Sequence, residues 1–315
     1  MQVRRLLTGV LSVGPGYGDQ LSSLRVGLSV AVPVFVLLAV GRPDLSIYAV
    51  FGAFAGMYGR EERHQLRLYH QTVAASLLLT GVMVGAVLSA LDAPHWVLVT
   101  VEASLAAVGS LVADRANLKP AGPFFGIFAL GACASLPSIA PLPLIFAVVS
   151  GAAAFSVLLG FAGWARARKW EVGARRVTAS IRGPRLRSSL VHALRYALAI
   201  GISGSVGQLT GDGHAYWAMA AAAVPLAGAD FAGRIRRGIH RILGTFAGLG
   251  LTAVVLSGRP GVVALSILVA VFQFPTELFM ARHYGLALVF FTPLILIMTV
   301  LAHPEFVKVD EASGS

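Results

Sequence analysis

Charge is scarce in this chain of 315 residues. Only 12% of them are Asp, Glu, Lys or Arg, 57% are hydrophobic, and mean hydropathy is +0.78. That balance excludes an ordinary soluble domain, which carries about a quarter of its residues as charges. Cys133 is the single cysteine, so no intrachain disulfide can form and a zinc cluster lacks its ligand set. The dispersed glycines match neither a phosphate-binding loop nor a dinucleotide fingerprint, and the histidines have no carboxylate cluster at ligand spacing. The chain therefore reads as a non-enzyme for which no metal and no cofactor are expected.

Long apolar stretches are what it has instead. Eighteen or more nearly uncharged residues suffice to cross about 30 Å of hydrocarbon. Spans are expected at 24–40, 45–58, 71–91, 96–113, 121–137 and 142–164, then at 190–209, 215–231, 240–257, 261–278 and 284–302. These eleven define an all-α polytopic membrane protein. A short interfacial segment (1–23) precedes them, a basic linker (165–189) divides them, and a tail (303–315) follows. Acids number 14 against 25 Lys and Arg. With the N-terminus and linker cytoplasmic, 22 of those 25 fall on the inner side, and only Arg42, Arg259 and Lys308 fall outside. The basic excess therefore reports membrane sidedness and the headgroups of membrane lipids rather than nucleic acid. A multi-pass protein of a cell inner membrane is the expectation.

The chain also repeats itself. Leu24-Arg25 recurs as Leu194-Arg195, and Arg67 and His70 recur as Arg237 and His240, all at one offset of 170. Six spans followed by a linker on the starting side make the repeats parallel. The expected arrangement is thus two parallel repeats, 24–164 and 190–302, of about six and five helices around a pseudo-two-fold axis. Any pathway would lie on that axis.

The candidate residues follow from the same pairing. Arg234, Arg237 and Arg241 share one helical face that continues into Gly244 and Gly248. Facing helices bearing Arg67, His70, Arg237 and His240 would raise a positive potential at the inner mouth and hold a carboxylate bidentately. Topology and lipid headgroups account for the same arginines without a ligand. Glu102 lies within an apolar span, where an ionisable group is costly unless paired or hydrated. It reads either as a proton-coupling acid or as a structural one. Glu277 and Arg282 flank an inner turn and suggest a local pair. Arg25 is explained by snorkelling, and Gly52xxxGly56, Gly81xxxGly85 and Gly122xxxGly126 read as packing seams.

Three stretches resemble the fusaric acid resistance protein-like (FUSC) family: IYAVFGAFAGMYGR at 47–60, YWAMAAA to RRGIHRILGTFAG within 216–248, and ELFMARHYGLALVFFTPLILIM at 277–298. That group belongs to the aromatic acid exporter superfamily, related to plant aluminium-activated malate channels. The resemblance implies two repeats of about six helices around a basic pore. Many members also carry large cytoplasmic domains, for which a linker of about 25 residues has no room. Gln71, Ala74 and Leu78 stand where the second repeat has Arg241, Gly244 and Gly248, so the first repeat lacks the motif's glycines. Together these point to an inner-membrane efflux transporter for small organic anions, aromatic carboxylic acids foremost, driven by a proton or potential gradient. A passive organic-anion channel and a non-transporting scaffold with a basic linker stay open, as does a homo-oligomer.

Overall fold

The computed structural model describes residues 19–167, 183–210, 215–227, 231–280 and 282–303, and among these every regular element is helical. The interfacial segment up to residue 18, the linker from 168 to 182 and the tail beyond residue 303 lie outside the described residues. Among the described residues eleven α-helices follow one another: α1 Asp19–Ala39, α2 Ser46–Ala53, α3 His64–Ala90, α4 His95–Ala116, α5 Phe124–Ala134, α6 Leu142–Ala167, α7 Pro184–Thr210, α8 Ala215–Leu226, α9 Phe231–Ser257, α10 Val262–Met280 and α11 Tyr284–Leu301. Single turns of 3-10 helix, Pro43–Leu45 and Phe54–Met57, bracket α2.

Eight of these helices are long and apolar enough to cross a membrane. The protein is a polytopic helical membrane protein. The expected spans at 45–58, 121–137 and 215–231 contract to α2, α5 and α8, of 8, 11 and 12 residues. At 1.5 Å per residue they reach only roughly 12, 16 and 18 Å. Proline explains the truncation. Pro43 precedes α2, Pro120 and Pro123 precede α5, Pro137 follows it, and Pro225 sits in the last turn of α8. Conversely, α3 begins at His64 and α9 at Phe231, earlier than their apolar runs, because arginine is a good helix former. The basic residues therefore ride on the first turns of helices.

The long helices form walls around the short ones. α3 packs along α5 and α6, α9 along α11, α4 along α7 and α10 along α1, while α5 meets α8 and α11 meets α2. Glycine sets the tightest of these approaches. A Cβ on Gly244 would lie 2.8 Å from Leu288 Cβ, and one on Gly248 would lie 2.7 Å from Thr292 Cβ, so α9 and α11 touch nearly backbone to backbone. In the first half the same closeness returns further along the helix. A side chain on Gly81 would collide with the Gly126 carbonyl, and one on Gly85 would come within 2.9 Å of Cys133 Cβ. Gly52 abuts the Val149 carbonyl and Gly56 the Ser156 hydroxyl, which seats α6 on α2. Gly122 is a turn residue instead: its φ of +82° suits glycine, and its missing side chain admits the Tyr196 ring. Hydroxyls on the outward face of α3 satisfy themselves, as Thr72, Ser76 and Thr80 each donate to the carbonyl four residues back.

Gly81→Val and Gly244→Val are expected to cost about 1–3 kcal/mol each through overpacking. Gly151, with nothing within 4 Å of an added Cβ, is the control, and Gly151→Ala should be neutral. Thermal unfolding midpoints of the detergent-purified protein report the difference.

Candidate functional site

A cavity of about 310 Å³ opens on the arginine-bearing side, between the two halves of the chain. The first half contributes Tyr58, the Pro120–Gly122 turn, Phe124 and Phe125; the second contributes Val224 from α8, Arg236, Arg237 and His240 from α9, and Arg282, His283, Tyr284 and Phe291 around the start of α11. Its described lining holds five Arg or His side chains and no Asp or Glu. The local fold places them so. Arg236 and Arg237 lie on the second turn of α9 and His240 one turn on, while α11 is capped by His283, whose Nδ1 accepts from the Leu286 amide at 3.0 Å. The His240 and His283 rings stack at 4.5 Å. Arg237 sits 6.0 Å over the Tyr284 ring. Cations pressed against aromatic faces are drawn to the ring quadrupole while their N–H groups still point elsewhere.

Of the six residues proposed from the sequence for substrate, Arg237 and His240 line this cavity. Arg241 lies just behind it, buried, with its guanidinium 5.7 Å over the Phe124 ring and in reach of the Tyr284 hydroxyl. Arg234 faces a shallower groove with Arg187, Arg195, Asp114 and His192. Arg67 and His70 are elsewhere, beneath the first half. Arg67 donates to the carbonyls of Gly59, Gly160 and Glu62 at 3.4, 2.9 and 2.5 Å, and His70 Nδ1 contacts the Glu62 carboxylate. Gln71, in the register position of Arg241, donates to the Gly56 carbonyl. The first-half cluster is thus internally occupied by Glu62. At the matching register the second half has Ala232.

Glu277 also finds a different partner from the expected Arg282. Arg60 reaches across from the first half to its Oε2 at 3.0 Å and to its carbonyl at 2.8 Å, with both side chains nearly buried. Arg25 donates to the Arg60 carbonyl at 2.9 Å, so it braces this bridge instead of snorkelling. On the other flank Asp114 of α4 contacts His192 of α7 at 3.2 Å. Each junction between the halves therefore carries an acid on one side and a base on the other.

Away from the arginines, the cavity ends against aromatic rings. Phe128 of α5 packs on Phe51, Phe124, Phe291 and Trp217 at centroid distances of 5.8, 5.9, 6.1 and 5.2 Å, and Phe54 adds a further layer. Beyond this septum a second cavity of about 410 Å³ opens on the opposite side, lined by Ser89, Asp92, His95, Leu98, Ser135, Gln208 and Tyr216 among others. Glu102 lies between septum and second cavity. It is fully buried, and neither carboxyl oxygen has a hydrogen-bond partner among the described residues. The spacing of Arg and His on α9 was visible in the sequence. The rings of Tyr58, Phe124 and Phe291 were not, because they come from three separate elements and no local pattern joins them.

Eight long apolar helices around three short ones, with a cationic mouth and an aromatic septum, define a multi-pass helical membrane protein. Residues 200–309 match the fusaric acid resistance protein-like family, which carries the sequence resemblance over that part of the chain. A curated relative, the uncharacterized membrane protein YvaC of Bacillus subtilis (strain 168), is 29% identical over 114 residues. That stretch covers 36% of this chain and 18% of the relative, so the chain spans under a fifth of that protein's length. No solved structure matches.

Because three carbonyls depend on its guanidinium, Arg67→Ala should destabilise the protein by about 2–3 kcal/mol. Arg67→Lys should rescue little of this, since one ammonium cannot reproduce the fork. Arg237→Ala should leave the unfolding midpoint close to wild type. Thermal unfolding of the three purified variants separates the two roles.

Proposed function

We propose that the protein exports small organic anions across a cell inner membrane, with aromatic carboxylic acids as the preferred class. The observation that carries this reading is the cavity on the basic side, where arginines, histidines and aromatic rings meet with no acid in the described lining. A guanidinium and an imidazole bind a carboxylate by charge-assisted hydrogen bonds. Tyr58, Phe124, Phe125 and Phe291 offer ring faces and edges to the rest of the solute. Aliphatic acids would satisfy the cations and leave the rings unused.

The basic side is taken as cytoplasmic, from the 22 to 3 distribution of Lys and Arg. Two parallel repeats around a pseudo-two-fold axis are the proposed architecture. Reciprocal packing supports it: α3 on α5 answers α9 on α11, α4 on α7 answers α10 on α1, and α5 on α8 answers α11 on α2. The cavity then lies at the inner mouth of that axis, with Arg237 and His240 as primary carboxylate ligands and Arg241 shaping the ring pocket through Phe124. In this reading Arg234 attracts anions to the mouth, while Arg67 and His70 hold the first half in shape. Glu102 couples proton movement. A negative interior already favours exit by about 2.3 kcal/mol per charge per 100 mV, so the proton adds to a drive that exists without it.

Flux of benzoate from proteoliposomes, under a pH gradient alone or a potential alone, tests the reading. Saturable flux driven by the pH gradient is expected. Arg237→Ala should weaken apparent affinity about 10- to 100-fold, the loss of one charge-assisted contact, and butyrate should be a poor substrate. Flux that follows only the potential with matching current would establish a passive channel. No flux above empty liposomes for any acid would sink the transport reading and leave the scaffold.

A further inference from the structure

We propose that the outer cavity is a proton port that loads Glu102, and that Gly131 keeps the passage to its carboxyl open. The assignment deepens the export reading, since it names the route of the coupling proton.

Glu102 is fully buried in α4, with both carboxyl oxygens unpartnered among the described residues. No charged side chain among the described residues acts on it. An ionised carboxylate left alone at such depth costs several kcal/mol, so this niche suits a carboxylic acid. The niche is shaped by two neighbours. A Cβ on Gly131 would lie 2.9 and 3.4 Å from the two carboxyl oxygens, and 2.7 Å from Tyr216 Cβ. Glycine there lets α5 come this close to α4, and an added methyl would crowd both carboxyl oxygens.

The outer cavity begins one turn away along α4 and α5. Leu98 is one turn back along α4, Ser135 is one turn on along α5, and Tyr216 itself lines both. Ser89, Asp92, His95 and Gln208 supply polar groups able to hold water and pass protons toward that floor. The opposite direction is blocked by Phe128 against Trp217 at 5.2 Å. Other titratable groups on the surrounding helices stand apart: Cys133 of α5 packs toward Gly85 of α3, Tyr196 of α7 packs on Gly122, and His192 and Arg195 lie nearer the basic end. The carboxyl therefore communicates with one side of the membrane.

Dicyclohexylcarbodiimide, an apolar reagent, tests this without any substrate. The protonated carboxyl adds across one C=N bond of the reagent: its oxygen bonds the central carbon, its proton goes to nitrogen, and rearrangement leaves a stable N-acylurea. Adducts on Glu102 are quantified by mass spectrometry in right-side-out and everted membrane vesicles, with the pH of each face varied separately. Labelling is expected to fall at least tenfold as the outer face is made alkaline and to ignore the inner face. Glu102→Gln should abolish it. Gly131→Ala should slow it about tenfold. If that variant fails to fold, Ser135→Cys treated with an impermeant thiol reagent from outside should do the same, Cys133 being buried. Labelling that tracks the inner pH, ignores the plug at position 135 or misses Glu102 would overturn the proposal. Port-dependent labelling in a protein that moves no benzoate would uphold the port and sink the export reading. Benzoate flux with no such labelling would do the reverse.

Discussion

Hydrocarbon offers no hydrogen bonds, so a helix that ends inside it must end against protein. Everything else in this structure depends on that constraint. α2, α5 and α8 are each too short to cross, and their terminal carbonyls and amides are exposed to lipid unless enclosed. The eight long helices provide the enclosure. Gly52, Gly56, Gly81 and Gly85 let the walls of the first half close onto α2 and α5, while Gly244 and Gly248 seat α11, the long helix that flanks the septum, against α9. The cavities exist because the short helices stop: the loop before α5 and the end of α8 leave space on the basic side, and the turn after α5 leaves space on the other.

The two halves use similar side chains for different ends. In the first, the acids Glu61 and Glu62 precede the helix, and Glu62 occupies His70 while Arg67 caps carbonyls. In the second, Phe231 and Ala232 stand in those places, and the corresponding Arg237 and His240 line a cavity. One half has supplied its own anion; in the other, Arg237 and His240 line a cavity whose described lining holds no acid. The buried Arg60 to Glu277 bridge then ties the self-satisfied half to the open one. Such a pair contributes more to registering the halves than to net stability, because desolvation offsets most of its attraction.

How much of this was legible follows from where each signal lives. The polytopic helical class comes from composition and run length, which are local; eleven helices stand among the described residues, but eight of them, not eleven, are long enough to cross. The truncation of three helices was written in Pro43, Pro120, Pro123, Pro137 and Pro225, but an apolar run masks a proline when only length is scored. Arg237 and His240 share a helix, so their spacing placed them together before any coordinates. Arg67 and His70 have the same spacing and a different environment, and the difference lies in two adjacent acids that the spacing ignores. Glu102 stood out as an acid in an apolar run. That both its oxygens would lie beside Gly131 with no partner among the described residues depended on tertiary packing.

Two cavities entering from opposite faces also thin the insulator. Between them lies little more than α5, whose 11 residues measure roughly 16 Å, against about 30 Å for the surrounding hydrocarbon. A membrane potential falls mainly where water is absent, so with both cavities filled by water most of the voltage would be concentrated across the layer of Phe128, Phe291 and Trp217. In the export reading proposed above, an anion resting beside Arg237 would have crossed almost none of the field, and a proton on Glu102 would sit near its far edge. The electrical work of such a passage would then be done in one short step, and the rings that make the barrier would also set where the voltage acts.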